Sequence, residues 1–247
     1  DKQNHILRWG TRYQREQIVD DINEWENLDS AGYSLPFSDQ EVLLSNVVKT
    51  TININSNRYS GFFQQTWQPH DTVSAVSLTS GVRFQYWDLN NEFLVSPRFQ
   101  LAVRPISYNK EGERKDVVFK FAVGSYQQAP FYRELRNLEG TVNTEIKAQK
   151  SVHVVAGGDW RFQAWNRQFK FATELYYKYL YDMVPYEYDT VRIRYYGGNY
   201  AKGYAAGIDF RLHGEFVEDA DSWISLSLLR TEEKVEGAMI GDTMIST

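Results

Sequence analysis

The chain has 247 residues, a formal net charge of −5 at pH 7 and no cysteine. Its length suits one large β domain or two small ones, and the lack of cysteine excludes disulfide scaffolds, thiolate metal sites and cysteine nucleophiles. The weakly acidic charge, without a basic cluster, predicts no nucleic-acid partner. Aromatic residues make up 15% of the chain, and rings with a polar tip, such as Tyr, are typical of ligand grooves, interfaces and membrane belts.

The dominant hydrophobic period along the chain is two, which predicts β-strands. Many of the alternating segments run for 12 to 15 residues, whereas a typical soluble strand has about five or six. Long strands in series predict a meander of hairpins. The segments are 5–18, a weaker 42–54, 57–68, 75–88, 92–105, 116–127, 150–163, 168–184, 200–214 and 222–233, with a less certain eleventh at 188–196.

Each segment has one apolar, aromatic face and one small, polar or charged face. A soluble sheet turns its apolar face inward and a transmembrane barrel turns it toward lipid, so periodicity alone does not separate the two. Strand length and small residues on the polar face favour the barrel, because a crowded lumen needs small side chains and a soluble surface does not. These small residues are Gly81, Ala102, Gly124, Ala205 and Gly207.

The connections mostly alternate between long and short. Long connections cover 19–56, 128–149 and 185–199, and short turns lie near residues 70, 110, 165 and 217. The connection 88–92 is short where the alternation predicts a long one. Long loops on one side and short turns on the other are typical of outer-membrane barrels.

Four motifs follow one another along the chain: Gly81–Trp87 (GVRFQYW), Ser96–Arg98 (SPR), Phe121–Leu135 (FAVGSYQQAPFYREL) and Ala201–Phe210 (AKGYAAGIDF). Each motif is weak by itself, and the specificity lies in the order of the four. This order resembles the barrel of TonB-dependent outer-membrane receptors, especially those of the Bacteroidota type. The resemblance extends from His5 to Glu233.

The resemblance implies an all-β fold: an antiparallel transmembrane β-barrel segment of about 10–11 strands from a 22-stranded receptor barrel. It implies a receptor in the cell outer membrane that takes up a scarce nutrient, such as a glycan, peptide or siderophore, with TonB-coupled energy, without a cofactor and without enzymatic activity. The implied partners are outer-membrane lipid, the plug domain and TonB of the full-length protein, the nutrient itself and, in some systems, a surface lipoprotein.

No plug-like region precedes the first segment and no terminal aromatic strand follows the last, so we expect residues 1–247 to form part of a receptor barrel. By the same resemblance, 19–56, 88–92, 128–149 and 185–199 are extracellular, and the turns near 70, 110, 165 and 217 are periplasmic.

Two sets of residues are candidates for binding. The first is an aromatic and basic cluster in the long connection 185–199, where rings and guanidinium groups suit a ligand, although a hairpin packed on itself explains them as well. It consists of Tyr186, Tyr188, Arg192, Arg194, Tyr195 and Tyr196. The second set faces the lumen or the plug domain, where charges need partners. It consists of Arg83, Arg98, Arg104, Asp209 and Arg211.

The sequence offers no catalytic residues and no metal ligands. The four histidines are scattered, and the adjacent pair Glu232 and Glu233 points to opposite faces of a strand, which a glycosidase pair cannot do. The acidic residues between Asp20 and Asp29 lack EF-hand spacing, so a hydrated loop is expected there. Two alternatives to the receptor stay open: a soluble, aromatic-rich, carbohydrate-binding all-β domain and an all-β hydrolase.

Overall fold

The computed structural model describes residues 4–28, 43–69, 74–108, 112, 114–189, 192–236, 239–240 and 243–244. These residues form an all-β, antiparallel structure, and none of them belongs to a helix that could cross a membrane. The strands are β1 (Asn4–Leu28), β2 (Leu43–Gln68), β3 (Ser74–Trp87), β4 (Glu92–Pro105), β5 (Ser107–Tyr108), β6 (Arg114–Gln128), β7 (Gln149–Ala164), β8 (Arg167–Met183), β9 (Tyr186–Asp189), β10 (Arg192–Tyr195), β11 (Ala201–Val217), β12 (Ala220–Val235), β13 (Met239–Ile240) and β14 (Thr243–Met244).

The long strands pair as a meander in the order β1-β2-β3-β4-β6-β7-β8-β11-β12, and the short β5 pairs with β6 to complete a ten-stranded sheet. The predicted all-β antiparallel fold is therefore confirmed. Within the described chain, β1 pairs only with β2 and β12 only with β11. The sheet is thus open, with an edge at each of these two strands.

The first hairpin is longer than predicted. β1 and β2 stay paired from Asn4↔Gln68 to Leu28↔Leu43, with one irregularity at Glu26 and Asn27. The segments 42–54 and 57–68 are therefore parts of one strand, and most of the predicted loop 19–56 is strand, while 29–42 lies outside the described residues. The prediction failed because Asn, Asp and Thr in this stretch hide the period of two.

The predicted eleventh segment, 188–196, is not a strand of the main sheet. Its residues form most of the separate hairpin β9–β10, in which Tyr188 pairs with Ile193. The predicted turn at 165 is a tight one, because Trp165 and Asn166 both have positive φ (53° and 58°), as a two-residue hairpin turn of type I′ requires. The predicted turns near 70 and 110 fall largely outside the described residues.

The pairing assigns every strand residue to one of two faces, because directly paired residues point to the same side of a sheet. One row of paired residues crosses the whole sheet and lies on the polar face. It runs through Arg8, Gln64, Gly81, Arg98, Gly124, His153, Lys178, Ala205 and Thr231. The opposite face is called the apolar face below. The end of the sheet that carries the connections 88–91, 129–148 and 184–200 is called the loop end.

The buried core lies on the polar face, at the loop end. The segment 129–148 between β6 and β7, called the inward loop, folds back over this face. Leu135 and Ile146 of the loop are almost fully buried against Ile52, Ile54 and Trp87 of β2 and β3. The main hydrophobic cluster therefore joins a loop to a sheet, and it leaves the apolar face uncovered.

Candidate functional site

The apolar face exposes most of the large hydrophobic side chains of the sheet. Of the described strand residues, those on this face that are more than a third exposed include Leu7, Trp9, Phe63, Phe84, Phe93, Val95, Phe119, Phe121, Val152, Val154, Trp160, Leu175, Ile224, Leu226 and Leu228. The polar face exposes few, among them Ile6, Phe62, Trp223 and Leu229. Exposed apolar patches of this size mark a surface that meets a partner or a membrane.

Two rows of aromatic rings border the apolar face. Near the loop end, Tyr13 lies 5.2 Å from Tyr59, and Tyr59 lies 6.4 Å from Tyr86, measured between ring centroids. The same row continues on β8 and β11, where Tyr177 and Tyr204 stack at 6.0 Å. Near the opposite end lie Trp67, Trp160, Phe162, Phe169 and Phe216, with Trp160 and Phe162 at 4.7 Å.

The loop-end row slants across the strands. On β2, Tyr59 lies five residues from Gln64 toward the loop end. On β8, the residue in register with Gln64 is Lys178, and the rings of the row, Tyr177 and Tyr179, directly flank it. The row therefore falls by about one residue for each strand crossed. With about 3.3 Å per residue and about 4.8 Å between strands, the strands are tilted about 35° from the normal to the row.

Beyond the rings at the loop end, the apolar face turns polar. On β1, the residues of this face after Tyr13 are Arg15, Gln17, Val19, Asp21, Asn23 and Trp25. On β2 they are Asn57, Asn55, Asn53, Thr51, Lys49 and Val47. The hydrophobic surface is therefore a band with a sharp border at the rings, and the outer half of the β1–β2 hairpin extends past it.

The inward loop is held to the polar face by charged and polar bonds as well as by its core. The Arg136 guanidinium lies 2.5 Å from the Asp20 carboxylate of β1, and the Ala148 N–H donates to Glu92 Oε2 at 2.7 Å. Arg58 Nη2 donates to the Pro130 carbonyl at 3.3 Å. Asp20, Arg58 and Glu92 all belong to the polar face, so the loop covers that face only.

A second set of bonds fixes the loop to the segment before β11. The Asn199 side chain donates to the carbonyls of Lys147 (2.9 Å) and Asp182 (2.6 Å) and accepts from the Lys147 N–H (2.8 Å). The Asn143 amide donates to the Gly197 carbonyl at 2.9 Å. The loop is thus clamped on both sides, as a fixed part of the polar face.

Glu134 is a buried carboxyl at the base of the loop. Its two oxygens accept from the Phe131 N–H and from Gln149 Nε2, each at 2.8 Å. Burial raises the pKa of Glu134 above its ordinary value, and these two hydrogen bonds oppose the rise. Glu134, Leu135 and the fully buried Pro130 belong to the third sequence motif, whose structural role is to anchor the loop.

The predicted residues of the connection 185–199 are brought together in and beside the β9–β10 hairpin. Tyr186 contacts Tyr188 (5.5 Å) and Tyr195 (6.0 Å) between ring centroids. Arg192 pairs with Glu24 of β1 at 2.8 Å, and Arg194 donates to the Leu138 carbonyl of the inward loop at 2.9 Å. The two arginines therefore brace the loop end. Tyr188, 71% exposed, is the ring most open to a ligand.

In the same cluster, Tyr196 is partly buried and its hydroxyl donates to Glu187 at 2.9 Å. This bond holds the chain beside the hairpin and leaves the ring little surface for a ligand. A direct role of the cluster in ligand binding stays a prediction.

The predicted residues Arg83, Arg98, Arg104, Asp209 and Arg211 all lie on the polar face, as the register of their strands shows. They do not pair with one another. Arg104 lies 3.6 Å from Asp116, Arg98 stacks on Tyr126 at 4.3 Å, and Arg211 stacks on Trp223 at 5.1 Å.

Two adjoining cavities open on the polar face between β1 and β4. The larger, of about 470 Å³, is lined by Arg12, Arg83 and Arg98 together with Phe62 and the polar side chains of Ser60, Gln64, Thr79, Ser96 and Gln100. The smaller, of about 280 Å³, shares Arg12, Ser60 and Arg83, and reaches under Phe131 and Tyr132 of the inward loop. We call the two cavities together the arginine groove.

Sequence reasoning missed three parts of this site: the inward fold of 129–148, the contribution of Arg12, and the ring of Phe62 on the polar face. The alternation in 5–18 places Arg12 on the same face of the strand as Arg8, so the sequence alone could have assigned Arg12 to the polar face. Among the described residues, no group of three or more His, Asp or Glu side chains is arranged to hold a metal ion.

No protein-family model matches the chain, and no curated protein matches it significantly. The fold and surfaces described above therefore carry the functional conclusion.

Proposed function

We propose that this chain forms part of the barrel wall of an outer-membrane receptor that takes up a scarce nutrient with TonB-coupled energy. The single observation that carries the proposal is the exposed apolar band bordered by two rows of aromatic rings. Outer-membrane barrels have such a band, about 25 Å tall, with aromatic girdles at both interfaces and strands tilted by about 35–45°.

The dimensions of the band support a bilayer as its partner. On β8, Phe169 and Tyr177 mark the two rows and are eight residues apart, as are Tyr59 and Trp67 on β2, which is about 26 Å along the strand. With a tilt of about 35°, the band is about 22 Å tall measured perpendicular to the rows. This height is close to the roughly 25 Å of the apolar band of outer-membrane barrels.

The polar face fits the interior of a receptor barrel. It carries most of the charged residues of the sheet, the arginine groove and a loop that folds onto it from the loop end. The open edges at β1 and β12 fit the same proposal, because a sheet in lipid must pair its edges with further strands. Uptake through TonB, and contact with a plug domain or a surface lipoprotein, rest on the resemblance of the four motifs.

The rival function is a soluble, carbohydrate-binding all-β domain. The exposed rings suit that function as well, since Tyr and Trp are common in binding grooves. A soluble domain, however, would present the whole apolar band to water, and monomeric soluble proteins rarely expose patches above a few hundred Å². The uncovered band therefore favours the receptor.

Spin labels test the proposal, because the chain has no native cysteine. The neighbours Val154 and Val155 lie on the apolar and the polar face of β7, so Val154→Cys and Val155→Cys form a matched pair. In the full-length protein in liposomes, we expect the label at 154 to be accessible to oxygen and the label at 155 to a water-soluble nickel complex. Equal access of both labels to the nickel complex would refute the membrane assignment.

A further inference from the structure

The charges of the polar face are distributed unevenly. On β6, β7 and β8, cations and carboxylates are paired: Lys120 lies 2.7 Å and Lys170 lies 3.3 Å from Asp159, and Arg161 lies 3.0 Å from Asp116. Around the larger cavity of the arginine groove, the described lining residues include three arginines and no carboxylate. The smaller cavity contains one ion pair, Arg58 with Glu16 at 3.0 Å. The positive charge without a neighbouring carboxylate is therefore that of the larger cavity.

The three arginines are spread along the groove. Arg83 and Arg98 lie on neighbouring strands, two residues out of register, which places their Cα atoms about 8 Å apart. Arg12 lies two strands away from Arg83 and two residues out of register, at about 12 Å. Arg12 and Arg98 lie three strands apart and four residues out of register, which places their Cα atoms about 20 Å apart. One small anion cannot bridge that distance, whereas an extended ligand with several acidic groups can.

The other groups of the groove suit a sugar. The Phe62 ring lies against Gly10, where an added Cβ would come within 2.8 Å of its Cε1 atom. Phe62 is 46% exposed and is paired directly with Arg83 on the neighbouring strand, so an exposed ring and a cation share this part of the groove. Ser60 and Thr79 add hydroxyls that can bind sugar hydroxyls.

We propose that the arginine groove binds an acidic oligosaccharide, with its carboxylate or sulfate groups on Arg12, Arg83 and Arg98 and one sugar ring stacked on Phe62. Guanidinium groups bind carboxylates and tetrahedral oxyanions through two parallel hydrogen bonds. This inference rests on the proposed uptake function and deepens it, because it names the chemical class of the nutrient. Phe131 and Tyr132 of the inward loop cover the ligand at the loop end.

The test is calorimetric titration of the full-length protein in detergent micelles. The probe is trigalacturonic acid, a linear trisaccharide with one carboxylate on each ring, and its neutral control is the fully methyl-esterified trisaccharide. We expect the acid to bind and the ester to bind at least about 10-fold more weakly. Binding of the acid should weaken as the salt concentration rises.

Two matched variants locate the site. Arg83→Gln removes a guanidinium from the groove, and Arg161→Gln makes the same change on the polar face, 59% exposed, outside the groove. We expect Arg83→Gln to weaken binding of the acid about 10- to 100-fold and Arg161→Gln to change it less than twofold. Near-ultraviolet circular dichroism of both variants checks that they are folded.

Several outcomes would overturn the inference. They are equal affinity for acid and ester, equal losses in the two variants, no binding at millimolar acid, or binding of inorganic phosphate as tight as that of the trisaccharide. Failure here is distinguishable from failure of the proposed function, because the spin labels at 154 and 155 report the membrane independently of any ligand.

Discussion

Replacing Leu135 by alanine should release the inward loop without unfolding the sheet. Leu135 has no exposed surface and packs in the cluster with Ile54, Ile146 and Trp87. Leu→Ala changes at buried sites cost about 2.7–5 kcal/mol. The polar bonds to Asp20, Glu92 and Asn199 remain in the variant, so we take a value near the lower end, about 3 kcal/mol, as the decrease in the free energy that favours the closed loop. This decrease corresponds to an open population that is about 100-fold larger.

Hydrogen exchange followed by mass spectrometry measures this opening. Amides in 129–148 should exchange about 100-fold faster in Leu135→Ala, while peptides from β3 and β7 should be unchanged. The matched control is Leu229→Ala, since Leu229 is 61% exposed on the polar face of β12; it should leave exchange in the loop unchanged. If Leu135→Ala alters loop exchange by less than threefold, the hydrophobic cluster does not hold the loop, and the reasoning is wrong.

Three further changes have defined outcomes. Leu175→Arg, at mid-height of the apolar band, should cost about 2–4 kcal/mol of unfolding free energy measured in a bilayer; a change within 0.5 kcal/mol would fit a water-exposed face instead. Gly197→Ala should speed hydrogen exchange of the inward loop, because Gly197 has a φ of 68° and its added Cβ would lie 2.8 Å from the Asn137 Cα and Cβ atoms, in a backbone conformation that L residues disfavour; wild-type exchange would contradict this. Burial raises the pKa of Glu134 above 4.5, so the folded loop holds the proton more tightly than the open loop, and opening should become easier as pH rises from 4.5 through the raised pKa. Intrinsic-rate-corrected exchange should show this trend, and Glu134→Gln should abolish it.

The period of two was sufficient to predict the sheet, because alternation over 12 or more residues matches the two-sided geometry of a strand and not the 3.6-residue turn of a helix. Register and faces followed wherever the strands alternate cleanly, as in β3 and β4. The prediction failed in the outer half of the β1–β2 hairpin, where both faces are polar and Asn53 and Asn55 resemble loop residues. There the strand conformation depends on backbone hydrogen bonds to the partner strand of the hairpin, and the local sequence does not predict these bonds.

The candidate site was harder to predict than the sheet. The polar-face positions of Arg83 and Arg98 follow from alternation alone. The inward fold of the loop depends on contacts between residues more than 70 positions apart, such as Arg58 with Pro130, and no local pattern encodes such a contact. Arg192 and Arg194 were recognised as basic residues among rings, but their protein partners could only be found in three dimensions.

The inward loop also sets a lower limit on the girth of any closed barrel that contains this sheet. A barrel of about eight strands has an interior just wide enough for its own side chains or one small ligand, whereas barrels of about 16–18 strands leave an aqueous channel and barrels of about 22 strands hold a plug. Nine strands lie near the narrow end of this range. A barrel that encloses a folded segment such as 129–148 therefore requires a larger circumference than nine strands give.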